Sequence, residues 1–75
     1  MKLRFALSGS VVFETDIDIL PPPGSEVVFR VSSYKKGFEA GTLVAAIVED
    51  ESPYFDFSNP NDPLVSLSVN NLREL

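Results

Sequence analysis

Apolar and polar residues alternate with period two through most of this 75-residue chain, the pattern of half-buried β-strands. From Lys2 to Leu7, Leu3, Phe5 and Leu7 share one face and Lys2, Arg4 and Ala6 the other. From Val11 to Ile19, Val11, Phe13, Thr15, Ile17 and Ile19 lie opposite Val12, Glu14, Asp16 and Asp18. Glu26 to Ser33 sets Val27, Phe29 and Val31 against Glu26, Val28, Arg30 and Ser32. Leu64 to Asn70 sets Val65, Leu67 and Val69 against Ser66 and Ser68. Gly41 to Val48 departs from the rule, being apolar at both odd and even positions before the acidic stop Glu49-Asp50-Glu51. It predicts a strand buried on both faces, around which the one-faced strands wrap.

The register of the first hairpin follows from side-chain matching. A two-residue Gly9-Ser10 turn would set Phe5 opposite Glu14, apolar against charged, all along the ladder. A three-residue Ser8-Gly9-Ser10 connection pairs Leu7 with Val11, Phe5 with Phe13 and Leu3 with Thr15. On the other face it sets Arg4 opposite Glu14 and Lys2 opposite Asp16. Each such pair contributes roughly 0.2–1 kcal/mol, and both faces favour this register. The turn chemistry agrees less well, since such a loop prefers glycine at its third position.

Between the strands the chain is punctuated. Leu20-Pro21-Pro22-Pro23-Gly24-Ser25 ends the second strand, because proline donates no ladder hydrogen bond. A polyproline ligand for an SH3 or WW domain would need further proline spacing or a flanking arginine, so a rigid corner is expected. Tyr34 to Gly41 turns the chain into the central strand, with Gly37 and Gly41 available for positive φ. Lys35 and Lys36 beside Tyr34 are the only adjacent basic pair, and a solvated turn accounts for them better than a phosphate site. The stretch from Glu49 to Pro63 reads as one long loop. After the last strand, Asn70 or Asn71 is expected to cap a short helical turn through Leu75.

Composition removes much chemistry. With neither cysteine nor histidine, disulfides, Cys/His zinc sites, thiol redox chemistry and histidine-activated nucleophiles are excluded. Eleven acidic against six basic residues give a net charge of −5, which argues against nucleic acid and an anionic membrane surface. A basic partner fits better; charge that only aids solubility is the plainer account. The N-terminal Met-Lys-Leu-Arg-Phe-Ala-Leu is too short and too charged for a secretion signal, and a cytoplasmic location is the default expectation.

Two rows of acids invite functional readings. Glu14, Asp16 and Asp18 share a face, but two of them sit opposite Lys2 and Arg4 and no nucleophile accompanies them, so surface charge suffices. Asp50, Glu51, Asp56 and Asp62 offer oxygens of the kind calcium takes, yet the glycine and terminal glutamate of a helix–loop–helix calcium loop are missing and Pro53 intervenes. In the stronger reading Tyr54, Phe55 and Phe57 anchor a partner protein, with Asp50, Glu51 and Asp56 as an acidic rim. The simplest reading folds Phe55 and Phe57 back over an open end of the barrel.

The chain is therefore expected to form one all-β domain over residues 1–75, a small five-stranded antiparallel barrel or sandwich, SH3-like first and OB-like second. The expected function is a non-enzymatic module binding another protein through loop 50–63 and an adjacent sheet edge, without cofactor or metal. One alternative is a homo-oligomer built through the second face of strand 41–48, with Val28, Val44, Ala46 and Val48. Another is a metal-binding acidic loop or a metal-dependent enzyme.

Overall fold

The first hairpin forms in the charge-matched register along most of its length. In the computed structural model, which describes residues 1–51 and 53–75, strands β1 (Lys2–Leu7) and β2 (Ser10–Asp16) are antiparallel. They pair Lys2 with Asp16, Leu3 with Thr15, Arg4 with Glu14 and Phe5 with Phe13. Nearer the turn the register shifts, and Leu7 faces Ser10 instead of Val11. The turn is Ser8-Gly9, at φ 51° and 82°, where two left-handed residues match the twist of the flanking strands. A tight turn and the Phe5–Phe13 pair demand registers that differ by one residue, and a β-bulge absorbs the difference. This corrects the expected three-residue connection. It also exchanges the neighbouring valines: Val12 is 0% exposed and Val11 40%.

Strand β2 stops at Asp16, short of the expected Ile19. Because β1 begins at Lys2, the Ile17 N–H has only the Met1 carbonyl to bond, at 3.0 Å. Ile19 has no partner strand among the described residues and is 75% exposed. The prolines form the expected corner, in which Ser25 N–H donates to Pro22 O at 3.1 Å and Gly24 takes φ 83°. Strand β3 (Glu26–Arg30) follows, with Phe29 and then Val31 buried and Val28 outside. A small Lys35–Phe38 hairpin then leads into β4 (Leu43–Val48), which pairs with β3.

The long loop contains a strand of its own. β5 (Tyr54–Asp56) pairs antiparallel with β6 (Leu64–Glu74). The expected C-terminal helical turn does not form, and β6 continues to Glu74. Strict alternation past Val69 would bring Asn71 inward. Asn71 instead takes φ 55° at a second register shift, so that Leu72 packs on the core and Asn71 faces solvent. Asparagine is among the few side chains that tolerate this backbone conformation.

Six strands form a sheet in the order β2-β1-β6-β4-β3, with β5 also on β6. β1 and β6 run parallel, so the sheet is mixed; six strands with a parallel pair replace the expected five antiparallel ones. Lys2 N–H donates to Pro63 O, whereas Glu49 N–H donates to Ser68 O. Backbone groups of successive strand residues point to opposite sides. β1 therefore holds one edge of β6, and β4 and β5 share the other, end to end. The sheet curls into a half-barrel whose edges approach where Ser32 N–H donates to Val12 O at 2.7 Å. Its concave side buries Leu3, Phe5, Phe29, Val44, Val65 and Val69.

The central strand meets its expectation on one face only. Val44, Ala46 and Val48 belong to the core, which corrects their assignment to an oligomer face. On the convex face Ala45 is buried but Leu43 and Ile47 are half-buried. Arg73 on β6 reaches Glu26 on β3 at 2.8 Å, so its guanidinium must lie across β4, where Ala45 is small enough to let it pass.

Neighbours on β3 test the face assignment. Phe29→Ala should cost about 3–5 kcal/mol in urea denaturation, whereas Val28→Ala should stay within about 0.5 kcal/mol. At the β6 bulge, Asn71→Gly should be tolerated and Asn71→Val should destabilise by about 1–2 kcal/mol in the same assay.

Candidate functional site, an acidic-aromatic edge strand

The segment that follows β4 is held by backbone pairing at both ends and by local turns between. Glu49 is fixed to Ser68, and β5 resumes the pairing with Tyr54 opposite Ser66, Phe55 opposite Val65 and Asp56 opposite Leu64. The Asp56 carboxylate accepts the Ser58 N–H at 2.9 Å, and this turn sends the chain on past Phe57. Asn59 Oδ1 and O then accept the N–H groups of Asn61 and Asp62, closing a turn around Pro60 that returns the chain to β6.

This scaffold leaves the aromatics outside. Tyr54 is 66% exposed, Phe55 46% and Phe57 62%. Neither phenylalanine covers the core, so the simplest reading of the sequence is corrected. The two rings stack on each other instead, with centroids 6.2 Å apart and planes 1° from parallel. The reason lies in pairing: Phe55 shares the concave face with Val65, but β5 sits at the sheet margin, where no strand among the described residues follows it. Only the backbone of Phe55 points to this free edge, because Tyr54 and Asp56 face β6.

The acids divide into two kinds. Asp50 and Glu51 are exposed in the connection before β5 and complete an acidic surface with Glu49. Asp56 holds the turn; the Ser58 backbone N–H and then its hydroxyl hold the carboxyl below its ordinary value. Asp62 is drawn away to Lys2, whose Nζ lies 3.1 Å from its carboxylate. The hydrogen bond and charge of Asp62, then the charge of Glu14, push the Lys2 ammonium up. The calcium set is thus not assembled, and among the described residues no cluster of three or more acidic side chains is placed to hold a metal ion. Glu14 pairs with Arg4 and Lys2, and Asp18 lies 3.6 Å from the N-terminal ammonium, as surface charges do.

A second concavity escaped the sequence reading. Between β2 and β3 lies an apolar pocket of about 560 Å³, lined among others by Leu3, Phe13, Thr15, Ile17, Leu20 and Val27. A signal for it was present in the hairpin register. With Lys2 opposite Asp16, the alternation continues past the start of β1, so Ile17 and Ile19 are apolar residues without a strand to cover them. Among the described residues no helix is long and apolar enough to cross a membrane. In comparisons with protein-family models, curated proteins and solved structures, nothing matches the chain.

The Asp56 turn makes a pH prediction. A carboxyl held below its ordinary value favours the folded loop above the unfolded pKa, about 3.9, and that contribution is lost as pH falls through the lower folded value. In a carbon-detected NMR titration Asp56 should titrate below the ordinary aspartate value. Ser58→Ala should raise its midpoint by removing the hydroxyl, while the remaining N–H keeps it depressed.

Proposed function

We propose that the protein is a non-enzymatic interaction module that binds another protein through β5 and its flanks. Tyr54, Phe55 and Phe57 are the anchors, and Asp50 and Glu51 form a rim that selects a basic surface. The observation that carries this reading is the exposure of three aromatic side chains, Tyr54 and Phe55 on one short strand and Phe57 just after it, the two phenylalanines stacked together outside the core. Large apolar rings left in water are costly, and aromatic centres with polar surroundings dominate interface energetics. The residues from Glu49 to Pro63 carry five acids and no base, which repels acidic surfaces and steers basic ones. Asp56 belongs to the same reading as the residue that holds Phe57 against Phe55. The free backbone of Phe55 would let a partner strand add to the sheet at this point. An SH3-like or OB-like likeness is an analogy of architecture and carries no part of the reading.

The test compares wild type with a Tyr54→Ala, Phe55→Ala, Phe57→Ala variant against a partner isolated by affinity capture. Because the three side chains are outside the core, the variant should keep its fold by circular dichroism. Its affinity should fall by at least about 30-fold, the effect of losing one hot spot, as read by calorimetry. Equal affinity of the two folded proteins would overturn the assignment.

A further inference from the structure

The convex face of β3 and β4 carries a pattern that is its own complement. Val27 and Phe29 turn toward the core, so Glu26, Val28 and Arg30 line this face of β3. Val44, Ala46 and Val48 do the same on β4 and leave Leu43, Ala45 and Ile47 outside. Strand pairing sets these six in three rows: Glu26 beside Ile47, Val28 beside Ala45, and Arg30 beside Leu43. The middle row is apolar, and the outer rows end in opposite charges. Arg73, paired with Ala45, adds its aliphatic stem to the middle row before its guanidinium reaches Glu26 at 2.8 Å. Arg30 donates to Gly41 O at 3.0 Å and has no carboxylate partner among the described residues. Val28 is 56% exposed, and no strand among the described residues packs on this face.

The order of charges names the occupant. A second copy can stack on this face about a two-fold axis lying in the interface and crossing the strands at Val28 and Ala45. The facing strands then run antiparallel. Val28 meets Val28 of the second copy, Leu43 meets its Ile47, and Arg30 meets its Glu26, each heterologous pair occurring twice. Every Glu26 then lies between Arg73 of its own chain and Arg30 of the other. An axis along the strands would instead set Glu26 on Glu26 and Arg30 on Arg30, like charge on like. Packed sheets cross at about 30°, which moves the outer rows by only about 3 Å, within reach of an arginine.

We propose that the protein forms a two-fold dimer through the convex face of β3 and β4, with Val28 at the axis and an Arg30–Glu26 pair at each end. This face measures roughly 17 by 10 Å, small beside the about 800 Å² per partner of a standard interface. The dimer is therefore weak, with a Kd on the order of 100 μM. The net charge of −5 on each copy opposes approach, but at 0.15 M salt charges farther apart than about 8 Å are largely screened. Tyr54, Phe55 and Phe57 lie outside the three rows, so the proposal does not rest on the proposed protein interface.

Sedimentation equilibrium of the full chain at 0.15 M salt, up to about 1 mM protein, tests it. Val28→Glu, Arg30→Glu and Glu26→Lys should each keep the fold by circular dichroism and weaken the dimer at least about tenfold. An equimolar mixture of the Arg30→Glu and Glu26→Lys proteins should restore it, because both outer rows regain opposite charges. Both variants stay acidic overall, so their pairing reads the local rows and not net charge. A wild-type monomer at about 1 mM would overturn the proposal, as would an unchanged dimer in folded Val28→Glu protein. So would a mixture of the two charge variants that stays monomeric. A dimer lost in the Tyr54→Ala, Phe55→Ala, Phe57→Ala variant but kept in Val28→Glu would assign it to the β5 edge instead.

Discussion

Strand β6 has two edges, and the placement of everything else follows from how they are shared. β1 takes one edge in parallel along Leu64–Ser68. β5 and β4 divide the other, antiparallel, at Leu64–Ser66 and Val69–Glu74. Eleven residues make β6 long enough to hold both in line. Every other strand attaches through one of these: β2 through β1, and β3 through β4. A parallel neighbour cannot be joined by a tight turn, so nearly the whole chain becomes the crossover between β1 and β6.

The sheet reaches its curl by spending residues where two local preferences disagree. At Val12 a tight turn and an aromatic pair require different registers; at Asn71 the pairing with β4 and the burial of Leu72 do. Each conflict is resolved by one residue out of step, and each bulge increases local twist. The bend brings Val12 to Ser32 and the Phe5, Phe13 and Phe29 rings together. It does not carry the rest of β2 to β3, and the wall stays open there.

Two exposed apolar surfaces lie where a strand runs out of neighbours. Among the described residues β5 has β6 on one side and no strand on the other, so Phe55 extends past the core it faces and stacks on Phe57. The apolar series of β2 outlasts β1, so Ile17 and Ile19 reach the rim of the pocket instead of a ladder. One surface is aromatic and acidic and the other aliphatic. Both expose apolar side chains that local patterning had assigned to an interior.

Read alone, the sequence determined the faces of β1, β3 and β6, the charge-matched part of the first hairpin, the proline corner and the acidic-aromatic character of residues 50–63. These depend on alternation, proline geometry and side chains a few positions apart, all local along the chain. It also held the Ile17 and Ile19 overhang, legible once the register was known. Tertiary structure alone decided that β1 and β6 are parallel, that Tyr54–Asp56 is a strand, that Asn71 is a bulge and not a helix cap, and that one wall stays open. It also decided which acids are free to form a rim, since Asp62 is claimed by Lys2 from the far end of the chain and Asp56 by its own turn. The physical reason is the same throughout. A side-chain pattern states which face of a segment seeks an interior, while the strand that supplies that interior is chosen by hydrogen-bonding edges distant in sequence.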